Sequence, residues 1–254
     1  MSPEDLLAFA EGLADVADRI TTTAFRAGLE VRTKADGSWV TDADEHVETE
    51  LSARIRDQFP DHVVFGEEHG TVGSGPAVTW VIDPIDGTSN FVRGNPVFAT
   101  LIAVQVDGVE QCGVVSAPAL GSRWRAGRGI GAWQDGRAIA VSAVDRIADA
   151  EVSTGDLRYL EAAGVGPAVR GLLADASRQR GYGDFWQHCL VAAGSTDVAL
   201  EADVKRWDLA AVRIVVEEAG GRFTTFDGRA TSDGPTALST NGRLHDEVLG
   251  RLAV

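Results

Sequence analysis

Apolar side chains recur with the period of a helix over the first 60 residues. A first amphipathic helix is predicted to begin after Ser2-Pro3, because serine caps helix N-termini and proline is favoured in the first turn. Its apolar stripe comprises Leu6, Leu7, Ala10, Leu13, Ala14, Ala17 and Ile20. A second helix is predicted to be capped by Thr41 or Asp42 and to end at Pro60. Its apolar stripe comprises Val47, Leu51, Ile55 and Phe59.

The pattern changes to short apolar runs typical of strands between about residues 63 and 140. Asp107-Gly108 and Asp135-Gly136 lie between such runs, where Asp-Gly favours a hairpin turn. Later in the chain, helical and strand patterns alternate. Helices are predicted there over 157–175, 185–195 and 206–219. The mixture predicts an α/β protein in layers that includes substantial antiparallel sheet.

The chain has 254 residues, which is enough to bury a sizeable core. We expect one domain over residues 1–254, with a soft internal division into 1–147 and 148–254. The net charge of −15 argues against a nucleic-acid partner, because phosphate backbones favour lysine and arginine. The sequence shows neither a signal peptide nor an apolar run long enough to span a bilayer. We therefore expect no membrane partner, a cytoplasmic location, and reduced thiols at the two cysteines.

Four stretches place carboxylates at the edges of apolar elements, which is costly unless something compensates the charge. They are VTDAD at 40–44, GEE at 66–68, DPIDGT at 83–88 and WDLAA at 207–211. Hard divalent cations such as Mg²⁺ prefer oxygen ligands of this kind, and Mn²⁺ fits the same set. Glu67, Asp83 and Asp86 could bind two metals, with the Ile85 carbonyl and Asp208 completing the ligands. Each motif alone also fits a plainer role, as solvated surface or as a turn.

Bound cations would also let an acidic protein attract a phosphate dianion. Backbone N–H groups at Gly87 and Thr88, at a turn into a helix, could hold phosphate oxygens. The Thr88 hydroxyl could orient a water molecule. The chemistry expected of such a site is metal-assisted hydrolysis of a phosphate ester.

Three segments resemble the signatures of the inositol monophosphatase family, whose members are magnesium-dependent, lithium-sensitive phosphatases related to fructose-1,6-bisphosphatase. They are GEE at 66–68, DPIDGTSNF at 83–91 and WDLAAVRIVVEEAGG at 207–221. The resemblance extends over essentially the whole chain and includes Lys34 and VTDADEHVE at 40–48. It implies a layered α-β-α-β-α sandwich, two or three Mg²⁺ per site, and a homodimer. Ser89 departs from the threonine or lysine of many relatives.

Carried over position by position, the resemblance implies roles for individual residues. The metal ligands would be Glu67, Asp83, the Ile85 carbonyl, Asp86 and Asp208. Gly87 and Thr88 would bind phosphate, Asp44 would hydrogen-bond Thr88 and help to activate water, and Lys34 would lie near the waters around the metals. Glu201 would contact the part of the substrate that is not phosphate.

The substrate is indicated by two further segments, NFVRG at 90–94 and RGYGDFWQH at 180–188, which resemble the histidinol-phosphate phosphatase branch of the family. Asp184 and Glu201 would form an acidic wall suited to the ammonium and imidazole of histidinol. Arg93 could contact phosphate, a second subunit or solvent, and His188 could be a buried structural residue or a substrate contact. The alternatives are an inositol-1-phosphate or other cyclitol- or sugar-phosphate phosphatase, and a catalytically silent metal-binding protein.

Overall fold

The computed structural model of the protein describes residues 2–28, 30–35, 37–75 and 77–253. Eight α-helices occur in these residues. They are α1 Pro3–Ala24, α2 Asp42–Gln58, α3 Thr88–Val92, α4 Leu157–Ala162, α5 Gly166–Asp175, α6 Asp184–Ala192, α7 Arg206–Glu218 and α8 His245–Leu252. Two short 3₁₀ helices lie at Pro118–Leu120 and Ile147–Asp149.

Fifteen strands in the described residues form three sheets. They are β1 Val31–Thr33, β2 Trp39–Thr41, β3 Val63–Gly66, β4 Gly70–Val72, β5 Val78–Asp86, β6 Ala99–Val106, β7 Val109–Ala117, β8 Ser122–Gly127, β9 Gly131–Gln134, β10 Arg137–Ala138, β11 Glu151–Thr154, β12 Arg178–Arg180, β13 Val198–Ala202, β14 Arg222–Thr224 and β15 Thr236–Thr240. β1 and β2 form a hairpin. An eight-stranded sheet has the order β10-β9-β8-β7-β6-β5-β3-β4, and a five-stranded sheet has the order β12-β11-β13-β15-β14.

The helices and the two large sheets alternate in five layers, as the sequence predicted. The apolar faces of α1 and α2 pack on one face of the eight-stranded sheet, around Trp80 and Ile82. Val81, which lies between Trp80 and Ile82 and points to the opposite face of the sheet, packs with α6 and α7. The five-stranded sheet covers the other side of α6 and α7, and α4, α5 and α8 complete the outer layer. Asp83, two residues after Val81 in β5, therefore lies on the face of the sheet that α6 and α7 cover.

The helix prediction over 157–175 was wrong in one respect, because two helices occupy that range. Gly164 lies between α4 and α5 with φ of +81°, a conformation that ends a helix and that glycine adopts at little cost. The sequence patterns also missed α8, which has eight residues, and gave no bounds for α3, the five-residue helix expected after Gly87. Short helices such as these carry too little periodicity to be recognised. The other predicted helices, α1, α2, α6 and α7, are confirmed within a few residues.

The division between the halves 1–147 and 148–254 remains a prediction, although the sheets are consistent with it. The eight-stranded sheet ends with β10 at Ala138, and the five-stranded sheet begins with β11 at Glu151. Cys112 and Cys189 are both buried and free of disulfides. Among the described residues, no helix has the length and apolar character to span a membrane.

Candidate metal and substrate site

A β-bulge at the end of β5 places two aspartates at one edge of the eight-stranded sheet. Asp83 pairs with Leu101 and Asp86 with Ala99, so Pro84 and Ile85 lie opposite a single residue of β6. The Thr100 hydroxyl donates to the Pro84 carbonyl at 2.8 Å and holds the bulge. Pro84 has no N–H to donate to the strand ladder, which explains why β5 bulges at this position. The bulge thus takes Pro84 and Ile85 out of the regular pairing, and the ladder resumes at Asp86.

The first turn of α7 brings Asp208 to the same place. Its carboxylate accepts from the Lys205 backbone N–H at 2.6 Å, as a helix-capping acid does. Asp83, Asp86 and Asp208 each offer a carboxylate oxygen within 4.8 Å of the others. Asp83 is 1% exposed, and its Oδ1 has no hydrogen-bond partner. A buried carboxylate oxygen without a hydrogen-bond partner destabilises the folded protein, so this position favours a bound cation.

The electrostatics of these three carboxyl groups are those of mutually repelling anions. Burial, together with neighbouring carboxylates, raises the pKa of Asp83 and of Asp86 well above the usual range. Burial likewise raises the pKa of Asp208 to about 7, although the Lys205 N–H opposes this. An oxygen-only donor set of this charge fits a hard divalent cation, which would relieve the repulsion. The three aspartates predicted as metal ligands are therefore brought together.

Glu67 lies beside this cluster, where its charge is the second cause of the raised pKa of Asp83. Its Oε1 accepts a hydrogen bond from Lys34 Nζ at 2.7 Å, and the same ammonium donates to Glu68 Oε1 at 2.7 Å. Burial raises the pKa of Glu68 to about 7 against the lowering effect of Lys34. Lys34 therefore forms ion pairs with both Glu67 and Glu68, beside the three-aspartate cluster.

The turn that carries Glu67 is anchored by Glu48 of α2, which lies within the resembling segment 40–48. Glu48 is 1% exposed and accepts from the Glu68 N–H at 2.7 Å and the His69 N–H at 2.8 Å. A Cβ at Gly66 would lie 2.2 Å from Glu48 Oε1, so only glycine permits this approach. Glu48 therefore fixes the two consecutive peptides that follow Glu67, Glu67–Glu68 and Glu68–His69.

Asp44 reaches the site from the first turn of α2, where Thr41 is the N-cap. Its Oδ2 accepts from the Thr41 N–H at 2.8 Å and the Thr41 hydroxyl at 2.5 Å, which form a capping box. Its Oδ1 lies 3.4 Å from Thr88 Oγ1. The Thr88 hydroxyl is closer to the Ile85 carbonyl, at 2.9 Å. Burial raises the pKa of Asp44 to about 6, and the charge of Glu67 adds to this effect.

The predicted phosphate cradle begins at Gly87, which has φ of +79° and caps α3. A Cβ at this position would meet the Val97 carbonyl oxygen at 2.9 Å, so both the backbone conformation and the space require glycine. The N–H groups of Asn90 and Phe91 donate back to the Gly87 carbonyl. The turn is thus ordered directly after Asp86, next to the three-aspartate cluster.

A cavity of about 500 Å³ opens beside Asp86 and Asp208. Its walls come from the loops that follow the parallel strands β11, β12 and β13, because the carboxyl ends of these strands meet at one sheet edge. Six of the lining residues are acids, and no lysine, arginine or histidine among the described residues lines it. The acids are Asp86, Asp156, Asp184, Glu201, Asp203 and Asp208.

Asp184 and Glu201, both predicted as substrate contacts, line this cavity. Asp184 is the first residue of α6, and Glu201 lies in β13. The Asp184 N–H donates to Glu201 Oε1 at 3.2 Å, and the next N–H, of Phe185, donates to Asp86 Oδ2 at 2.7 Å. Free N–H groups at a helix N-terminus favour anions in this way. Burial and the charge of Glu201 raise the pKa of Asp184 to about 7. The start of α6 therefore links the three-aspartate cluster to the acidic wall of the cavity.

Arg93 lies outside the residues that line this cavity. It is exposed, and its guanidinium lies over the ring of Trp39 at 5.6 Å. Its predicted substrate contact remains a prediction. The sequence reasoning missed Asp156, Asp203 and the half-exposed Tyr159, which line the cavity. Asp156 and Asp203 lie within two residues of the ends of β11 and β13. An acid just after a strand was the signal that the sequence offered, because loops at the carboxyl ends of parallel strands form binding sites.

Comparison with known proteins gives consistent results. The family model described as the inositol monophosphatase family matches residues 2–252. A histidinol-phosphatase from Mycobacterium tuberculosis is 47% identical over 99% of each chain. A histidinol-phosphatase from Streptomyces coelicolor is 44% identical over 98% of this chain and 97% of its own. Among solved structures, the IMPase of Thermotoga maritima superimposes with a TM-score of 0.88 at 31% identity, covering 98% of this chain and 96% of the other.

Proposed function

Because the chain belongs to the inositol monophosphatase family and is a phosphoric monoester hydrolase, we propose that it hydrolyses L-histidinol phosphate to L-histidinol and phosphate, with Mg²⁺ as cofactor. The reaction would serve histidine biosynthesis in the cytoplasm, and the active species would be a homodimer. Two near-full-length relatives named as histidinol-phosphatases support this substrate.

The acidic cavity beside the metal cluster is the observation that carries the proposal. Among its six acids, Asp156 pairs with Arg158 and Asp203 with Lys205, whereas Asp86 and Asp208 would bind the metal. Asp184 and Glu201 have no lysine or arginine partner among the described residues, so they form the acidic wall that faces the substrate. Such a wall attracts a cation and repels an anion, so the alcohol part of the substrate should be positively charged. Histidinol carries an ammonium group and an imidazole, which match this chemistry.

The residues at the edge of β5 fit the metal that the family uses. Asp83, Asp86, Asp208, Glu67 and the Ile85 carbonyl would hold the cations. A bound divalent cation supplies positive charge to the phosphoryl oxygens and lowers the pKa of a coordinated water.

The chain's own groups then bind and orient the reactants. The N–H groups at Gly87 and Thr88 would hold phosphate oxygens, and the Thr88 hydroxyl would orient the attacking water. The attacking water would pass its proton to the Thr88 hydroxyl as that hydroxyl gives its own proton to Asp44, whose pKa of about 6 suits proton exchange near neutrality. Asp184 and Glu201 would hold the leaving alcohol in the cavity.

A second candidate substrate is inositol 1-phosphate. Carboxylate oxygens accept hydrogen bonds from hydroxyl groups as well as from ammonium groups. The carboxylates of Asp184 and Glu201 could therefore contact a cyclitol, and the similarity to the Thermotoga maritima IMPase favours keeping this alternative.

Side-by-side assays of phosphate release from the two esters, each with Mg²⁺ and with EDTA, test the proposal. We expect kcat/KM to favour L-histidinol phosphate by about 10²-fold or more, corresponding to about 2.7 kcal/mol, and EDTA to abolish turnover. Preference for inositol 1-phosphate would replace the substrate but keep the phosphatase. Turnover of neither ester, with correctly folded protein and excess Mg²⁺, would overturn both assignments.

A further inference from the structure

Two consecutive residues of α6, Gln187 and His188, contact the Glu201 carboxylate on the side away from the cavity. Its Oε2 accepts from Gln187 Nε2 at 3.0 Å and lies 3.0 Å from His188 Nε2. Gln187 and His188 are 0% and 1% exposed, and neither lines the cavity. His188, for which the sequence left two roles open, is therefore buried beneath a residue of the cavity wall.

The register of the five-stranded sheet explains how both residues reach one oxygen. β13 lies between β11 and β15 in this sheet. Ser153 of β11 and Ser239 of β15 both pair with Ala199 of β13, and Glu201 lies two residues further on. Side chains at such positions point to the same face of a sheet. The serines therefore flank Ala199, two residues before Glu201 and on the same face of the sheet, under α6.

Each serine fixes one of the two residues that support Glu201. The Ser153 hydroxyl donates to Gln187 Oε1 at 2.9 Å, which leaves the amide Nε2 to donate to Glu201. Ser239 Oγ lies 2.7 Å from His188 Nδ1. Since a carboxylate only accepts, Nε2 of His188 carries the hydrogen that faces Glu201. In the neutral ring, Nδ1 then accepts from the Ser239 hydroxyl, so every partner has one consistent role.

The opposite oxygen of Glu201 is the one that faces the substrate side. Oε1 accepts from the Asp184 N–H at 3.2 Å and would lie 2.9 Å from a Cβ at Gly155. Both of these residues line the cavity. With Oε2 held by two donors, the carboxylate cannot rotate freely, and Oε1 is presented in one orientation.

We propose that Gln187 and His188, braced by Ser153 and Ser239, are positioning residues that fix Glu201 and thereby set the preference for esters of a donor-bearing, cationic alcohol. This inference rests on the proposed function, because Glu201 must meet the alcohol part of the substrate. A carboxylate that is already oriented loses less conformational freedom on binding, so its support raises affinity for the alcohol without touching the phosphate. The support should therefore act on KM for the specific ester and leave the chemical step nearly intact.

His188→Ala tests this with two substrates, L-histidinol phosphate and 4-nitrophenyl phosphate, of which the second carries no ammonium, imidazole or hydroxyl donor. We expect KM for the first to rise by about tenfold, as for loss of one hydrogen bond to a charged group, with kcat within about threefold. Kinetics for 4-nitrophenyl phosphate should stay within about twofold. His188→Gln, which keeps a donor, should recover most of the loss, and Ser239→Ala should give a smaller change in the same direction.

Coupling to Glu201 separates positioning from a general structural role. In a Glu201→Ala background, His188→Ala should have no further effect on KM for L-histidinol phosphate, because the group that it orients is gone. Independent, multiplying effects of the two substitutions would overturn the inference. Equal losses on both substrates, or no loss on either, would overturn it as well.

His245, the first residue of α8, offers a matched control against the same five-stranded sheet. It is also buried with a partner at each ring nitrogen, with Nε2 3.0 Å from Thr224 Oγ1 and Nδ1 2.9 Å from Thr240 Oγ1. His245→Ala should lower the melting temperature but leave the ratio of kcat/KM for the two substrates unchanged. A ratio shifted as much as in His188→Ala would show that loss of any buried histidine suffices, and would overturn the inference.

Failure of this inference can be told apart from failure of the proposed function. If wild-type protein prefers L-histidinol phosphate and the His188 variants keep that preference, only the inference fails. If wild-type protein prefers inositol 1-phosphate, the proposed substrate fails. The same variants then test the positioning role with inositol 1-phosphate, whose hydroxyl groups also donate.

Discussion

Asp83 occupies the most costly position for a charge among the residues of the site. It is 1% exposed, it has an oxygen without a hydrogen-bond partner, and it faces the charges of Glu67, Asp86 and Asp208. Such a residue lowers the stability of the protein when no cation is bound and becomes favourable when one is. Activity and stability should therefore respond in opposite ways to its neutralisation.

Asp83→Asn should reduce kcat/KM by at least about 10²-fold, by loss of a metal ligand. In EDTA at pH 8, the same variant should have a higher free energy of unfolding than wild type, because one of several repelling carboxylates is removed. Urea titrations of both proteins, with and without Mg²⁺, measure this. A metal-free variant less stable than wild type would show that the hydrogen bond between Asp83 and Asp208 outweighs the repulsion among the carboxylates.

Gly87 is required by two separate physical effects, a positive φ and a lack of space for Cβ. Gly87→Ala should lower stability by about 1–3 kcal/mol and reduce kcat/KM by more than that loss explains, because the phosphate-binding turn shifts. Gly136→Ala is the matched control, since Gly136 has φ of +76° with nothing within 4 Å of its Cβ position. This control should lose stability but keep kcat/KM within about twofold. Equal activity losses in both variants would contradict a specific role for Gly87.

Helix α7 carries Asp208 at its start and is anchored further along by a buried ion pair. Arg213 Nη1 lies 3.0 Å from Glu110 Oε2, and the Glu110 side chain is 0% exposed. Glu110 Oε1 also accepts from Gln105 at 2.9 Å and from Ser232 at 2.6 Å. This network ties α7 to the eight-stranded sheet and to the loop before β15. It thus holds the helix that presents Asp208 to the residues of β5.

Arg213→Met should cost about 3–5 kcal/mol of stability, because it leaves a buried carboxylate without its partner. Adding Glu110→Gln should recover part of that loss, and chemical denaturation of the two single variants and the double variant measures the coupling. Arg146→Met serves as control, since the Arg146–Asp149 pair is 3.6 Å apart and mostly exposed. Its loss should stay within about 0.5 kcal/mol. An Arg213 variant as stable as this control would contradict the anchoring role.

The whole molecule should be least stable at alkaline pH when it lacks metal. Burial raises the pKa of Glu68, Asp184 and Asp208 to about 7, so in this range the folded protein binds more protons than the unfolded chain. The stability that these groups contribute is complete below their unfolded pKa values near 4, and it is lost as the pH rises through 7. Burial lowers the pKa of His62 and His245, which act in the opposite sense, but only below about pH 6.5.

In EDTA, we therefore expect the melting temperature to fall between pH 6.5 and pH 8. With saturating Mg²⁺ the fall should vanish or reverse, because the cation binds the ionised carboxylates. Thermal unfolding at constant ionic strength measures both curves. A metal-free melting temperature that rises over this window would contradict the raised pKa values.

A homodimer remains a prediction for the whole molecule, made from the family resemblance. Sedimentation equilibrium at micromolar concentration should give about twice the chain mass. A monomer that retains full turnover would show that the site in one chain is complete.

Sequence alone determined the parts of this protein that depend on local chemistry. The stripe of α1, the cap of α2 expected at Thr41 or Asp42, and the order Asp83-Pro84-Ile85-Asp86-Gly87 each need only neighbours in the chain. The α/β layers followed from the alternation of these patterns, and the family from the acidic motifs. Gly164 shows the limit of this reasoning, because one glycine within an apolar helical pattern decides between one helix and two.

Only the tertiary structure decided which distant residues meet. Asp156, Asp203 and Tyr159 became part of the cavity wall because parallel strands end at one sheet edge, a pairing that no local pattern encodes. His188 and Ser239 are 51 residues apart and meet through strand register. Register is set by which face of β13 is buried under α6, so the contact depends on the packed core. The sequence thus predicts which groups are proposed to perform the chemistry, whereas the packing determines how they are oriented.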